Sequence, residues 1–284
     1  MNVLSLFDGM SCGQIALDKL GIKVDNYFAS EIKPHAIKVT QDNYPKTIQL
    51  GNVEFVTKEM LSNYDIDILI GGSPCQDLTF INQKQEGLKG SKSILFYEYL
   101  RILRSVNPKY FLLENVASMK NRDRDIITKE LGVNPIMINS SLLSAQHRRR
   151  YYWTNIPNVK QPIDQNILLK DIIDYDAEKE EKMSDKKIAF LENKKDTMYI
   201  RIDGEKSLPI TARAYASWNT QYVTLPNGDI RDLTISEYKQ LQTIPSNYKM
   251  DISKRKATDL IGDGWTVDVI SHIFKSLKSD ERAV

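Results

Sequence analysis

Short apolar segments alternate with helix-like segments along the first 155 residues of this chain. Runs at residues 2–7, 24–30, 47–50, 66–70 and 110–113 are apolar and bounded by turn-forming or polar residues, which predicts buried strands. Further strands are predicted at residues 135–139 and 151–154. Strand–helix alternation is typical of a parallel sheet with helices on both faces. The sequence therefore predicts an α/β, Rossmann-like fold.

Composition narrows the class of protein. A chain of 284 residues with 41% hydrophobic content forms one large domain, or a large and a small one. Two cysteines, Cys12 and Cys75, are too few for a disulfide framework, which favours a reducing interior. A leader pattern and an apolar run of the roughly 20 residues that span a membrane are both missing, so we expect a soluble, cytoplasmic protein. We expect no metal ion, and a net charge of +2 is only weak support for a polyanionic partner.

A cysteine and a glutamate follow two neighbouring predicted strands. Cys75 closes the sequence Gly-Gly-Ser-Pro-Cys after the fourth strand, and Glu114 follows the fifth. In an open parallel sheet, residues just past the strand ends share one crevice. A thiol beside a carboxylic acid suits covalent attack on an electron-poor ring whose nitrogen is protonated at the same time. The simpler interpretation is a buried cysteine and a solvated turn residue.

The turn after the first strand has the form of a nucleotide-binding loop. Residues 8–13 precede a helix that is predicted to run to Leu20 and to stop at Gly21. Glu31, at the tip of the next strand about twenty residues on, is placed to accept hydrogen bonds from both ribose hydroxyls. The loop lacks both G-x-G-x-x-G and a P-loop, which favours a nucleoside cofactor without a pyrophosphate. Its simpler interpretation is an ordinary glycine-rich turn.

Six segments, taken in order, resemble the successive motifs of the cytosine-5 DNA methyltransferases. They are residues 7–13, 72–76, 114–116, 146–150, 231–242 and 261–267. The resemblance covers essentially the whole chain. It is strongest to the branch that includes animal de novo methyltransferases and compact prokaryotic or phage enzymes.

This resemblance implies a reaction on a cytosine that has been flipped out of double-stranded DNA. Cys75 would attack C6, and Glu114 would hold and protonate N3. C5 would then take a methyl group from S-adenosylmethionine. Arg148 and Arg150 would steady the base and a nearby phosphate, because a guanidinium suits such two-pronged contacts.

The resemblance also assigns a set of cofactor-binding residues at the strand ends and in the last motif. These are Phe7, Asp8, Gly9, Met10, Ser11, Glu31, Ile32, Asn52, Val53, Pro74, Gly264, Trp265 and Thr266. Two positions depart from the family pattern. Asn52 stands where the family often has aspartate, and Asp263 stands where it often has asparagine.

Residues 1–158 and 257–284 are expected to form the catalytic domain, and residues 159–256 a smaller target-recognition lobe. The residues expected to contact DNA are Ser73, Gln76, Lys89, Arg213, Asn219, Gln221 and Arg231. Within residues 208–221, bidentate contacts of Arg213 with guanine, and of Asn219 or Gln221 with adenine, would read bases. The alternative, of equal weight, is that this segment only braces the lobe and touches phosphate. Residues 76–95 suit a mobile lid or an ordinary surface loop.

Two other functions stay open. A tRNA cytosine-5 methyltransferase has a similar fold, but that branch carries a Cys-Phe-Thr signature, and both cysteines here already lie in other motifs. A non-catalytic relative would typically lose the nucleophile or the glutamate, and both are present. The resemblance further suggests a prokaryotic or phage-encoded, nucleoid-associated protein with a companion restriction endonuclease as a candidate partner.

Overall fold

The computed structural model describes residues 1–74, 95–176, 183–194 and 199–281. The backbone forms two compact units. The first comprises Met1–Ile138, Arg149–Gln161 and Ile270–Val284, and the second Asn139–Arg148 and Pro162–Val269. Residues 139–148 and 257–269 therefore group with the second unit, whereas the sequence analysis had placed them in the catalytic domain. The functional role of each unit stays a proposal.

A seven-stranded sheet forms the first unit, in the order β3-β2-β1-β4-β5-β7-β6. The strands are β1 (Asn2–Leu6), β2 (Asn26–Ser30), β3 (Ile48–Gln49), β4 (Ile68–Gly72), β5 (Tyr110–Val116), β6 (Ile136–Asn139) and β7 (Arg149–Thr154). All seven predicted strands are present, and β1 to β5 pair in parallel.

The sheet departs from the predicted parallel arrangement at β7, which runs antiparallel to β5. Residues 140–148, between β6 and β7, contain only one 3₁₀ turn, Ser140–Leu142. A parallel return needs a crossover of about a dozen residues or more. The sequence analysis recognised the strand but not the short connection before it.

Four helices follow strands of this sheet: α1 (Cys12–Lys19), α2 (Pro34–Asn43), α3 (Leu95–Val106) and α4 (Asn121–Leu131). α1 buries Ile15, Ala16 and Leu17, and the chain leaves it through Gly21 at φ 63°, as predicted. α3 and α4 pack on buried strand residues such as Leu4, Leu69 and Leu113.

Gly71 shows how tightly this core is packed. A methyl group added there would lie 3.0 Å from Cδ2 of Tyr99 and 3.1 Å from the carbonyl oxygen of Leu6. A side chain at this position would push α3 or β1 away from β4. The first glycine of the Gly-Gly-Ser-Pro-Cys sequence is therefore needed for packing.

β5 is longer than predicted. It runs to Val116 and is buried throughout, so Glu114 and Asn115 lie within the strand and not beyond its end. The sequence analysis ended the strand at its first charged residue. Two buried polar side chains are tolerated here because both have hydrogen-bonding partners.

The second unit contains a three-stranded sheet in the order β10-β9-β8, from β8 (Arg201–Ile202), β9 (Gln221–Thr224) and β10 (Ile230–Asp232). Its helices are α5 (Asp185–Lys194), α6 (Ala214–Ser217), α7 (Ile235–Leu241) and α8 (Lys254–Asp263). Leu191, Ile200 and Tyr222 form a small core beside the sheet. α9 (Val267–Glu281) ends the described chain. The final helix expected from residue 257 is thus two helices, interrupted at residues 264–266. Within the described ranges, no helix is long and apolar enough to cross a membrane.

Candidate functional site

The carboxyl ends of β4 and β5 lie side by side and present Glu114. In the sheet, Glu114 is paired with Gly72 on one side and with Tyr152 on the other. Paired residues point to the same face. Because Gly72 has no side chain, that face beside Glu114 is not covered from β4. Glu114 is 9% exposed, so its carboxylate is nearly but not fully enclosed.

Arg150 holds the Glu114 carboxylate. Arg150 Nε lies 2.8 Å from Glu114 Oε1, and the two side chains are 17% and 11% exposed. Arg150 is paired with Val116 and is therefore the diagonal neighbour of Glu114 across the β5–β7 ladder. A charge-assisted hydrogen bond of this kind fixes orientation as well as position. The structure thus brings two of the predicted catalytic residues together.

Asn115 ties the end of β4 to β5. Its Nδ2 donates to both the carbonyl oxygen and the Oγ of Ser73, at 3.2 Å each. Ser73 is 4% exposed and has a structural role two residues before Cys75, and its predicted DNA contact stays a prediction. The sequence analysis missed Asn115 as a positioning residue. The available signal was a polar residue continuing a buried strand.

Several predicted site residues lie outside the described residues. They are Cys75, Gln76 and Lys89, together with nearly all of the predicted lid at residues 76–95. Pro74, the residue before the nucleophile, is described and is partly buried.

The loop after β1 is a compact turn with three residues at positive φ: Phe7 at 57°, Gly9 at 59° and Ser11 at 57°. The Asp8 carboxylate accepts hydrogen bonds from Tyr27, at 2.8 Å, and from Ser11. Burial raises the pKa of Asp8, and these hydroxyl contacts oppose the rise. The Asp8 side chain therefore braces the loop from within. Met10, also predicted to bind cofactor, is 1% exposed and belongs to the core.

Glu31 closes this loop from β2. Its Oε2 accepts from the Gly9 N–H at 2.8 Å, and its Oε1 accepts from the N–H groups of Ile32 at 2.7 Å and Lys33 at 2.8 Å. A carboxylate has about four acceptor positions, so about one remains, on Oε2, for a ribose hydroxyl. The predicted pair of ribose contacts stays a prediction. The Ile32 side chain is 66% exposed and offers an apolar surface beside Glu31.

Asn52 is used differently from the prediction. Its Oδ1 accepts from the Glu54 N–H at 3.1 Å, which caps the 3₁₀ turn Val53–Phe55, and its Nδ2 donates to the Glu54 carboxylate. The amide oxygen expected to meet an adenine amine is therefore engaged as a cap. Val53 is 4% exposed and packs in the core of the first unit.

In the second unit, Arg148 is buried, and its guanidinium group binds backbone carbonyl groups. It donates to the carbonyl oxygens of Ile210 at 2.7 Å, Gly262 at 3.0 Å and Gly264 at 2.8 Å. These bonds give Arg148 a bracing role, and its predicted role of steadying a base stays a prediction. Thr266, predicted to bind cofactor, is 1% exposed and donates to Gln242 Oε1 at 2.7 Å. Gly264 and Trp265 are partly buried.

Two of the predicted DNA contacts are internal. Gln221 is 2% exposed and donates to the carbonyl oxygens of Asp203 and Tyr222. Arg231 makes a two-pronged ion pair with Glu237, at 2.7 and 2.8 Å. These side chains stabilise the second unit. By contrast, Arg213 and Asn219 are exposed, as a base contact requires.

Breaking the Arg231–Glu237 pair should destabilise the second unit strongly. Arg231→Met leaves the fully buried Glu237 carboxylate uncompensated, which costs about 3–5 kcal/mol. Arg104→Met is the matched control, because Arg104 pairs with Glu130 at the surface and such pairs contribute about 1 kcal/mol or less. Urea unfolding measures both. Equal losses for the two variants would contradict the structural role of Arg231.

Removing the Glu31 carboxylate should weaken cofactor binding. Glu31→Ala removes a carboxylate acceptor and releases the Gly9 N–H. The Kd for S-adenosylmethionine, the cofactor that the resemblance implies, should therefore rise by about 10- to 100-fold, the scale of a hydrogen bond to a charged group. Glu31→Gln should have a smaller effect. Calorimetry measures the Kd, with the exposed Glu59→Ala as control. An unchanged Kd in Glu31→Ala would remove Glu31 from the cofactor site.

The fold and the strand-end site define a class, the Rossmann-like methyltransferases. Two solved structures share this fold. DNMT2 of Spodoptera frugiperda matches with a TM-score of 0.77 and 21% identity, over 98% of this chain and 99% of that one. The Entamoeba histolytica methyltransferase EhMeth matches with a TM-score of 0.79 and 17% identity, over 99% and 98%.

Within this class, the chain belongs to the C-5 cytosine-specific DNA methylase family, whose model matches residues 1–279. Among curated relatives, the type II methyltransferase M.NlaX of Neisseria lactamica is 25% identical over 99% of this chain and 97% of its own length. M.NgoBV of Neisseria gonorrhoeae is 35% identical over 45% of this chain. The chain spans only 31% of the length of M.NgoBV and 31% of that of M.NlaIV of Neisseria lactamica.

Proposed function

We propose that this protein transfers a methyl group from S-adenosylmethionine to C5 of a cytosine flipped out of double-stranded DNA. The observation that carries the proposal is the Glu114–Arg150 pair, which lies beside the end of the strand that leads to Cys75. Membership of the C-5 cytosine-specific family supports the choice of base and of ring position.

The protein's residues divide the chemistry between them. The Cys75 thiolate forms a bond to C6 of the cytosine while Glu114 donates a proton to N3, and the displaced electron pair makes C5 nucleophilic. When bound, S-adenosylmethionine supplies C5 with an electrophilic methyl group. A base then removes the C5 proton, the Cys75–C6 bond breaks, and N3 returns its proton to Glu114. Arg150 keeps the Glu114 carboxyl oriented through Oε1.

The residues after β1 and β2 fit the cofactor. Glu31 beside the turn at residues 7–11 offers an acceptor for a ribose hydroxyl, and the exposed Ile32 offers an apolar surface for the adenine. The loop lacks a pyrophosphate-binding pattern, which agrees with a nucleoside cofactor. We assign catalysis to the first unit and target recognition to the second.

The names of some relatives support a proposal for the cellular role. Several carry the name type II methyltransferase, which supports a protective role alongside a companion restriction endonuclease in the cytoplasm of a prokaryotic or phage-infected cell. A companion enzyme of this kind would cut the same sequence that the methyltransferase modifies.

Expression in a host without cytosine-5 methylation tests the function and reads the target. Bisulfite sequencing of genomic DNA should show methylated cytosines within one recurring sequence. Bisulfite sequencing of tRNA from the same cells should show no added methylation. Methylated tRNA with unmethylated DNA would establish the alternative substrate and contradict the proposal.

The exposed Arg213 and Asn219 should read bases. A bidentate base contact contributes about 1–3 kcal/mol of discrimination. Arg213→Ala or Asn219→Ala should therefore relax one position of the methylated sequence, whereas loss of a phosphate contact weakens binding to all sequences alike. The internal Gln221→Ala is a comparison that should lower stability without relaxing a single position. Unchanged sequence preference in both exposed variants would place recognition elsewhere.

A further inference from the structure

The segment that carries Arg213 meets α8 at an unusually close backbone contact. A methyl group added at Gly262 would lie 2.3 Å from the carbonyl carbon of Thr211 and 2.4 Å from the backbone nitrogen of Ala212. Side chains do not approach other atoms to less than about 3 Å. Gly262 is therefore required by the closeness of another backbone, and not by a positive φ. All of these residues belong to the second unit.

Arg148 links the same two segments, the one that carries Arg213 and the end of α8. Its Nη1 donates to the carbonyl oxygen of Ile210 at 2.7 Å, and its Nη2 donates to the carbonyl oxygens of Gly262 and Gly264. Gln146 adds a second link, because its Oε1 accepts from the Ile210 N–H at 3.3 Å. Arg148 is 4% exposed, so water competes little for these bonds.

The contact with α8 lies directly before the exposed residues. Ala214 N–H donates to Thr211 O at 3.0 Å, and Ser217 N–H donates to Arg213 O at 2.8 Å, so the one-turn helix α6 is built on the fixed residues. Arg213 occupies the position that begins this helix and points to solvent. Holding residues 210–212 in place therefore also fixes the backbone position of Arg213.

We infer that Gly262 and Arg148 are positioning residues for sequence recognition: they hold residues 210–212 against α8 so that Arg213 is presented to DNA in one orientation. This inference rests on the proposed function. According to this inference, Gly262 in the last motif and the buried Arg148 both influence which DNA sequence is methylated. Neither residue needs to touch DNA for that effect.

Gly262→Ala and Arg148→Lys test the inference. Gly262→Ala forces residues 211–212 away from α8, and Arg148→Lys removes the two-pronged grip but keeps the charge. Both should raise the KM for DNA by about tenfold or more, since small displacements of positioning groups are costly. Both should also relax the same position of the target sequence as Arg213→Ala. Ser253→Ala is the control, at the exposed residue before α8, whose side chain makes no capping bond.

The double variant Gly262→Ala/Arg213→Ala distinguishes positioning from independent damage. If Gly262 acts through Arg213, the double variant should be no worse than Gly262→Ala alone. Multiplied losses in KM would overturn the inference, and so would wild-type sequence preference in both single variants. If Gly262→Ala does not fold, as judged by lost cofactor binding, Arg148→Lys carries the same comparison with Arg213→Ala.

Hydrogen exchange separates this inference from the proposed function. The amides of Ala214 and Ser217 should exchange faster in Gly262→Ala and Arg148→Lys than in the wild type or in Ser253→Ala. This readout requires no DNA methylation. If the wild-type protein methylated no DNA, the proposed function would be refuted. The exchange rates would still show whether Gly262 and Arg148 hold the segment that carries Arg213. Unchanged exchange in both variants would refute the positioning itself.

Discussion

Cys75→Ser should abolish methyl transfer while leaving the binding of S-adenosylmethionine intact. A serine hydroxyl is a far weaker nucleophile than a thiolate, so the covalent bond to C6 should not form, and turnover should fall by a factor on the order of 10³ or more. The proposed cofactor-binding residues follow other strands: residues 7–11 come after β1, and Glu31 comes after β2. Transfer of tritiated methyl groups to DNA measures turnover, and calorimetry measures cofactor binding.

Cys12→Ala is the matched control for the nucleophile. Cys12 is the only other cysteine, and it is 4% exposed in α1. Its substitution should leave turnover near that of the wild type. Loss of activity in Cys12→Ala, with normal turnover in Cys75→Ser, would reverse the assignment.

Glu114→Gln should lower turnover by about 10²-fold or more, which is the scale of a lost general acid. The amide keeps the shape of the side chain but cannot donate a carboxyl proton to N3. It also loses the ion pair with Arg150. The Kd for S-adenosylmethionine should change little, because Glu114 lies on β5 and the cofactor loop follows β1. Single-turnover kinetics isolates the chemical step.

Glu130→Gln provides the comparison for Glu114. Glu130 pairs with Arg104 at the surface, so its loss should leave turnover unchanged. The turnover of Arg150→Lys should lie between that of Glu114→Gln and that of Glu130→Gln, since a lysine keeps the charge but not the planar geometry. Full turnover in Glu114→Gln would exclude this carboxyl as the proton donor.

The sequence predicted the strands of the first unit, because these depend on local patterns, but it did not predict the ion pair between Glu114 and Arg150 across β5 and β7. Apolar runs locate buried strands. The roles of Arg148, Gln221 and Arg231 could not be predicted in the same way. An arginine or glutamine that is needed for DNA and one that satisfies buried carbonyls are identical in sequence, and only tertiary contacts separate them.

Asp8 and Asn52, both predicted to bind cofactor, are further residues whose contacts could not be predicted from the sequence. Each is a polar residue in a loop at a strand end, where ligands commonly bind. In the structure, Asp8 accepts from Tyr27, and Asn52 caps a turn through Glu54. A short polar side chain often bonds to its own loop, which a motif cannot reveal. Glu31 kept a place in the candidate cofactor site because part of its acceptor capacity remains.

Trapping on modified DNA tests the central claim, covalent attack by Cys75 on cytosine, most directly. DNA that contains 5-fluorocytosine within the target sequence should form a complex with the wild-type protein and S-adenosylmethionine that survives denaturation, because the C5 fluorine cannot leave as a proton does. Mass spectrometry of the digested complex should locate the nucleotide on Cys75, and Cys75→Ser should form no complex. A stable complex in Cys75→Ser, or attachment at another residue, would contradict the account.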